Sequence, residues 1–120
     1  MKTTIVESLS FDPLPKTDAQ LQDELDVLVN RAAHGDGRAI ASIAIAFGPM
    51  LLQEASAVLG DFEDEAADVL QDFLVLLLER RSRFTPSQGR AIPWMCGLVR
   101  AMARKYRAER EREWEVESEP

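Results

Sequence analysis

The chain of 120 residues has few of the side chains from which catalytic and metal sites are usually built. It contains one cysteine, Cys96, and one histidine, His34, so an internal disulfide is impossible and the two residues do not form a metal cluster of credible spacing. The lone cysteine favours a reducing compartment. Because no nucleophile is paired with a base, a hydrolytic enzyme has little support. We therefore expect a binding protein without catalytic residues, metal or cofactor.

Long apolar runs and targeting signals are also lacking. The N-terminus has no basic segment followed by an apolar one, which a signal peptide would need. The apolar run at residues 73–78 is six residues long, whereas about 20 are needed to span a bilayer. Strand-like alternation of apolar and polar residues reaches no useful length. We expect a cytoplasmic, all-α protein with no membrane partner.

Apolar residues at helical spacing, together with capping residues and breakers, predict a compact bundle of four to five helices. Residues 1–17 form a flexible N-terminal arm, residues 18–110 form the helical domain, and residues 111–120 form an acidic tail that frays. The pair Gly48-Pro49 separates the second helix from the third, since proline is tolerated in a first helical turn. The predicted helices cover approximately residues 18–34, 36–47, 50–59, 61–81 and 92–110.

The net charge of −7 hides a strong segregation of acidic and basic residues. Residues 1–80 contain 5 basic and 15 acidic residues, residues 81–108 contain 7 basic and no acidic residues, and residues 109–120 contain 2 basic and 6 acidic residues. Such asymmetry indicates separate surfaces for partners of opposite charge, with chance segregation on solvated faces as the alternative.

Four carboxylates fall on one stripe of the helix predicted for residues 61–81. At 100° per residue they lie within about 60° of one another over three turns, and they are Asp61, Glu65, Asp68 and Asp72. Like charges at these spacings destabilise a helix by about a few tenths of a kcal/mol per pair. Asp68 and Asp72 lie too far from the helix N-terminus for the helix dipole to offset this cost. The stripe is either a solvated face or a surface for a basic partner.

Basic side chains form a comparable row on the last predicted helix. Arg100, Arg104 and Arg107 lie within about 60° of one another, and we place them opposite the buried apolar face of that helix. Arginines neutralise phosphates, and exposed aromatic rings stack on unpaired bases, so the row favours a nucleic-acid surface over a solvated face or a membrane-surface helix. The nearest aromatic residues are Phe84 and Trp94, and core packing is the other interpretation of Trp94.

Three segments together resemble region 2 of the sigma-70 family of RNA polymerase sigma factors, most closely the extracytoplasmic-function type. One is an aromatic-Gly-Pro junction that leads to a Leu-Gly-Asp turn, one is an acidic helix with a Val-Leu-Gln-Asp-Phe end, and one is an Arg-Phe-x-Pro loop followed by Gly, Pro-Trp and Val-Arg. The match covers about residues 39–110, and the segments lie at residues 47–61, 64–74 and 83–100.

The resemblance implies two binding roles within transcription initiation. The family's acidic helix binds the coiled coil of the polymerase β′ clamp, and the matching residues are Asp61, Glu65, Asp68, Gln71 and Asp72. The family's loop and last helix bind the non-template strand of the −10 promoter element as it melts. The matching residues are Arg83, Phe84, Gln88 and Arg90 in the loop and Trp94, Arg100, Arg104, Lys105 and Arg107 in the helix.

The sequence departs from the family pattern at positions that read DNA. Ala101 stands where the family often has asparagine, Lys105 where it has aspartate, and Thr85 where the loop usually has aspartate. The 120 residues contain no counterpart of the family's C-terminal helix-turn-helix, so a separate region 4 subunit or an anti-sigma factor is an expected further partner. The alternative function is a regulatory protein that keeps the polymerase or anti-sigma docking face without promoter recognition. In that case the acidic residues 109–119 would fold near the arginine row and mimic DNA.

Overall fold

The computed structural model describes residues 17–81, 84 and 90–118, and these residues are helical or in short connections, with no strand. The all-α prediction is therefore confirmed for the described part of the chain. The predicted N-terminal arm, Arg83 and Gln88 lie outside the described residues.

The first helix, α1, spans Asp18–Ala33 and begins with a reciprocal cap. The Thr17 hydroxyl accepts a hydrogen bond from the Gln20 backbone N–H at 3.1 Å, and the Gln20 side chain accepts one from the Thr17 N–H at 2.8 Å. These contacts satisfy two N–H groups that a helix start leaves without partners. After α1 the chain turns at Gly35, whose φ of 88° favours glycine.

The second helix, α2, spans Gly37–Leu59 and passes through Pro49 without a break. Asp36 caps it by accepting hydrogen bonds from the N–H groups of Arg38 and Ala39 at 3.0 and 3.3 Å. The predicted separation of two helices at Gly48-Pro49 is wrong. Pro49 removes one helical hydrogen bond, but it lies on the exposed face of α2, where water can hydrate the carbonyl that is left unpaired.

The chain continues from α2 into a 3-10 helix, Gly60–Glu65, and then into α3, Ala66–Leu78. Gly60 has a φ of 59°, and Phe62 has non-helical angles of −103° and 26°. A regular α-helix from residue 61 to 81 is therefore a wrong prediction at both ends. Gly37–Leu78 forms one continuous helical stretch of 42 residues, so the described residues form three helical stretches instead of four to five separate helices.

The last helix, α4, spans Ala91–Ser118. Its 28 residues have a length of about 42 Å at 1.5 Å per residue. Pro93 lies in the first turn, as predicted. The predicted fraying after residue 110 is wrong for residues 111–118, because Arg107 pairs with Glu111 at 3.2 Å and Arg110 pairs with Glu113 at 2.8 Å, four and three residues apart. Such pairs stabilise an exposed helix.

The core lies where α2 packs against the other three α-helices. Phe73 of α3, Phe84 of the α3–α4 connection and Ile43 of α2 are its largest fully buried side chains. On α4 the buried stripe consists of Ala91, Met95, Cys96, Val99 and Ala103.

One buried carboxylate links the first helix to the last. Asp26 of α1 has 6% exposure and accepts a hydrogen bond from the Ala91 N–H at 2.9 Å, which caps α4 from another helix. The Arg90 guanidinium lies 3.6 Å from the same carboxylate. This contact was not predicted, although an acid between Leu25 and Val29 on an apolar helix face was a visible signal.

The stretch Gly37–Leu78 contains an 18-residue window with a mean hydropathy of 1.5, which is long and apolar enough to cross a membrane by composition alone. The core helix of a soluble protein meets the same criterion, and this property by itself assigns no location.

Replacing Asp26 with alanine tests the link between α1 and α4. The Asp26→Ala variant should lose about 1–3 kcal/mol of unfolding free energy, because a buried N–H loses its acceptor. Urea unfolding followed by circular dichroism measures the change. The control is Asp23→Ala, which removes a carboxylate that is 74% exposed and lies 3.4 Å from the same arginine; it should cost less than about 1 kcal/mol. Equal losses in both variants would contradict the capping role.

Candidate binding surfaces

Five exposed carboxylates along the 3-10 helix and α3 have no ion pair with any other described residue. We call them the acidic surface, and they are Asp61, Glu63, Asp64, Asp68 and Asp72. Burial of Val69 and Phe73 fixes the rotation of α3, which turns Asp68 and Asp72 to solvent. Gln71 is exposed on the same helix. Four of the five predicted polymerase-binding residues are thus accessible.

Glu65, the fifth predicted polymerase-binding residue, does not belong to the acidic surface. Its carboxylate is 20% exposed and accepts a hydrogen bond from the Arg110 guanidinium at 2.6 Å. This hydrogen bond is the main cause that raises the pKa of Arg110. The predicted stripe fails at Glu65 because a 3-10 helix advances about 120° per residue instead of 100°.

Tyr106 of α4 lies close to the acidic surface. With Asp72, Lys105 and Glu109 it lines a depression between α3 and α4. Burial raises the pKa of the Tyr106 phenol, and the negative charges of Asp72 and Asp68 raise it further. The phenol therefore reports the electrostatic potential of α3.

Two arginines of the predicted DNA-binding row hold α4 against α2. Arg100 donates to the Glu54 carboxylate at 2.7 Å, and this hydrogen bond is the main cause that raises the pKa of Arg100. Arg107 donates to the Val58 carbonyl at 3.0 Å near the end of α2, where a positive charge favours the helix dipole. The close position of the Arg107 guanidinium next to Gly60 is compatible with the absence of a side chain there.

The position of these arginines corrects the helical-wheel prediction. Cys96, Val99 and Ala103 are buried, and they lie within about 100° of Arg100 on α4. The row therefore borders the buried face rather than lying opposite it, which is why Arg100 and Arg107 reach α2. Between the two, Arg104 and its neighbour Lys105 are exposed and have no ion pair with another described residue.

The aromatic and loop residues predicted to bind DNA have other contacts. Phe84 is 1% exposed and belongs to the core, so its predicted role in base stacking is wrong. Its ring lies 5.0 Å from that of Trp94, at an interplanar angle of 47°. Trp94 is half-buried, which agrees with core packing. Arg90 donates to the side chains of Gln22 and Asp23 at 3.2 and 3.4 Å.

Glu54 was missed as a partner of the arginine row. It is the only charged residue among residues 39–60. A single charge on an otherwise uncharged helix is a signal that a partner on another element is needed, because an unpaired charge at a packed face is costly. The described residues contain no group of three or more His, Cys, Asp or Glu that could hold a metal ion.

Comparison of the chain with protein-family models, with curated proteins and with solved structures gave no match.

Titration of Tyr106 tests the electrostatics of the acidic surface. Tyr106 is the only tyrosine of the chain, so tyrosinate absorbance near 295 nm follows this phenol alone. Its midpoint should lie above that of a free tyrosine amide, and Asp68→Asn with Asp72→Asn should lower it, because both carboxylates disfavour the phenolate. The control Asp23→Asn should leave the midpoint unchanged. An unchanged midpoint in the double variant, with circular dichroism showing a folded chain, would refute the assigned contribution of α3.

Proposed function

We propose that this chain is a transcription-initiation module, similar to region 2 of a sigma factor, that binds the RNA polymerase β′ clamp and single-stranded −10 promoter DNA. It acts in the cytoplasm by binding and not by catalysis. The observation that carries the proposal is the acidic surface, whose five carboxylates are exposed without an ion pair to any described residue.

The polymerase half of the proposal follows from the position of these carboxylates. Asp68 and Asp72 stand one turn apart, beyond the first turn of the continuous helical stretch, so they repel each other without a compensating dipole. A basic coiled coil would relieve that repulsion and gain from steering by opposite charge. The arginines of α4 do not provide this relief, because their ion pairs are with Glu54, Glu65, Glu111 and Glu113.

The DNA half of the proposal rests on Arg104 and Lys105, with a contribution from Arg100. The Arg100 side chain is 47% exposed and uses its Nε toward Glu54, so its terminal nitrogens remain able to bind a phosphate. Trp94 has a partly exposed ring beside them. Strand opening in this account needs no catalytic side chain, because binding energy to the opened strand drives it.

A regulatory protein that keeps the polymerase or anti-sigma docking face is the second candidate. It is favoured by the internal contacts of Arg90, Arg100 and Arg107 and by the burial of Phe84, which together reduce the surface left for DNA. An anti-sigma factor or a separate region 4 subunit remains a proposed further partner under either function.

Charge reversal on α3 tests polymerase binding. Asp68→Lys with Asp72→Lys should reduce the affinity for purified core polymerase at least about a hundredfold, since it replaces attraction by repulsion at the contact. The control Asp18→Lys with Asp23→Lys makes the same charge change on exposed positions of α1 and should keep most of the affinity. Fluorescence anisotropy of labelled chain measures both. Equal losses in the two double variants would contradict docking through α3.

Charge reversal on α4 tests DNA binding separately. Arg104→Glu with Lys105→Glu should weaken binding to a −10 non-template oligonucleotide by about tenfold or more at low salt, and wild-type affinity should fall as salt rises. Arg100 is left unchanged because it holds α2. Arg31→Glu with Arg38→Glu, on exposed residues of α1 and α2, is the matched control. If wild-type chain binds core polymerase but binds no oligonucleotide at either salt concentration, the regulatory function replaces the first.

A further inference from the structure

A groove lies between the 3-10 helix and the C-terminal part of α4. Its apolar side chains are Phe62, which is half-buried, and Trp114, which is 67% exposed. Its remaining lining residues are all acidic, namely Asp61, Glu111 and Glu115. The groove thus combines two aromatic rings with three carboxylates.

This combination matches the chemistry of a long basic side chain. The methylene groups of lysine or arginine pack on aromatic surface, and their cationic ends are attracted both to a ring face and to carboxylates. An exposed tryptophan is also the residue type most enriched where protein interfaces gain their binding energy. A phosphate backbone would be repelled by the three carboxylates, so a basic protein segment fits the groove and a nucleic acid does not.

The groove is built by elements that hold its two walls in place. The non-helical angles of Phe62 direct the 3-10 helix out of the line of α2, and the continuation of α4 to Ser118 carries Trp114 past that turn. The hydrogen bond from Arg107 to the Val58 carbonyl ties the two walls together below the groove. Asp61 belongs to both this groove and the acidic surface, so the two are continuous.

We propose that this groove binds a lysine- or arginine-bearing segment of a protein partner, with the basic side chain lying on the indole of Trp114. The site lies outside the regions that the sigma-like resemblance covers, and it does not depend on polymerase or promoter binding.

An octa-arginine peptide tests the groove without polymerase. Calorimetric titration at low salt should give a measurable affinity for the full chain, and Trp114→Leu should weaken it by about three- to tenfold, because the cation–π contact is lost while the charge is unchanged. Val116→Ala, which removes another exposed apolar side chain of α4, should leave the affinity unchanged. An octa-glutamine peptide should not bind.

Fluorescence gives a second, local measurement. In a Trp94→Phe chain the only tryptophan is Trp114, and octa-arginine should shift its emission with the same midpoint that calorimetry gives. Equal octa-arginine affinities of wild-type and Trp114→Leu chains would overturn the proposal, since binding would then need only acidic charge. Tighter binding of a single-stranded oligonucleotide that shifts Trp114 emission would also overturn it. So would a wild-type dimer, seen by sedimentation, that Trp114→Leu dissociates, because the occupant would then be a second copy.

Discussion

The contact between α4 and α2 is the constraint on which the rest of the structure depends. The buried stripe of α4 packs on α2, and two arginines at the border of that stripe fix the register, Arg100 through Glu54 and Arg107 through the Val58 carbonyl. Asp26 holds the start of α4 from α1. Together these contacts decide which charged groups remain for partners, because a guanidinium already paired within the chain has less to offer outside.

The division of charge that results is uneven. The acidic surface remains without internal ion pairs among the described residues, whereas the basic row is partly engaged within the protein. Arg104 and Lys105 are the members of the row that stay open toward solvent. Docking on a basic partner is therefore the better-supported half of the proposed function, and DNA binding relies on fewer groups than the sequence predicted.

The sequence predicted the all-α class and the N-terminal caps because both depend on local chemistry. Thr17 and Asp36 accept hydrogen bonds from N–H groups two or three residues away, so their roles can be inferred from neighbours alone. The burial of Phe84 and the pairing of Glu65 with Arg110 could not, since they depend on contacts between residues far apart in the chain. The break predicted at Pro49 failed for a related reason: exposure of that face makes a missing hydrogen bond tolerable. A small phase difference also matters, because the change from 3-10 to α-helix was enough to move Glu65 out of the acidic stripe.

Hydrogen exchange of the chain, alone and bound to intact core polymerase, tests the central claim most directly, because it locates the contact without altering any charge. The account predicts that amide exchange slows on binding in residues 61–72, while the exposed side of α1 keeps its free-state rates. Binding that leaves exchange in residues 61–72 unchanged and slows it elsewhere would contradict the assignment of the acidic surface as the docking face.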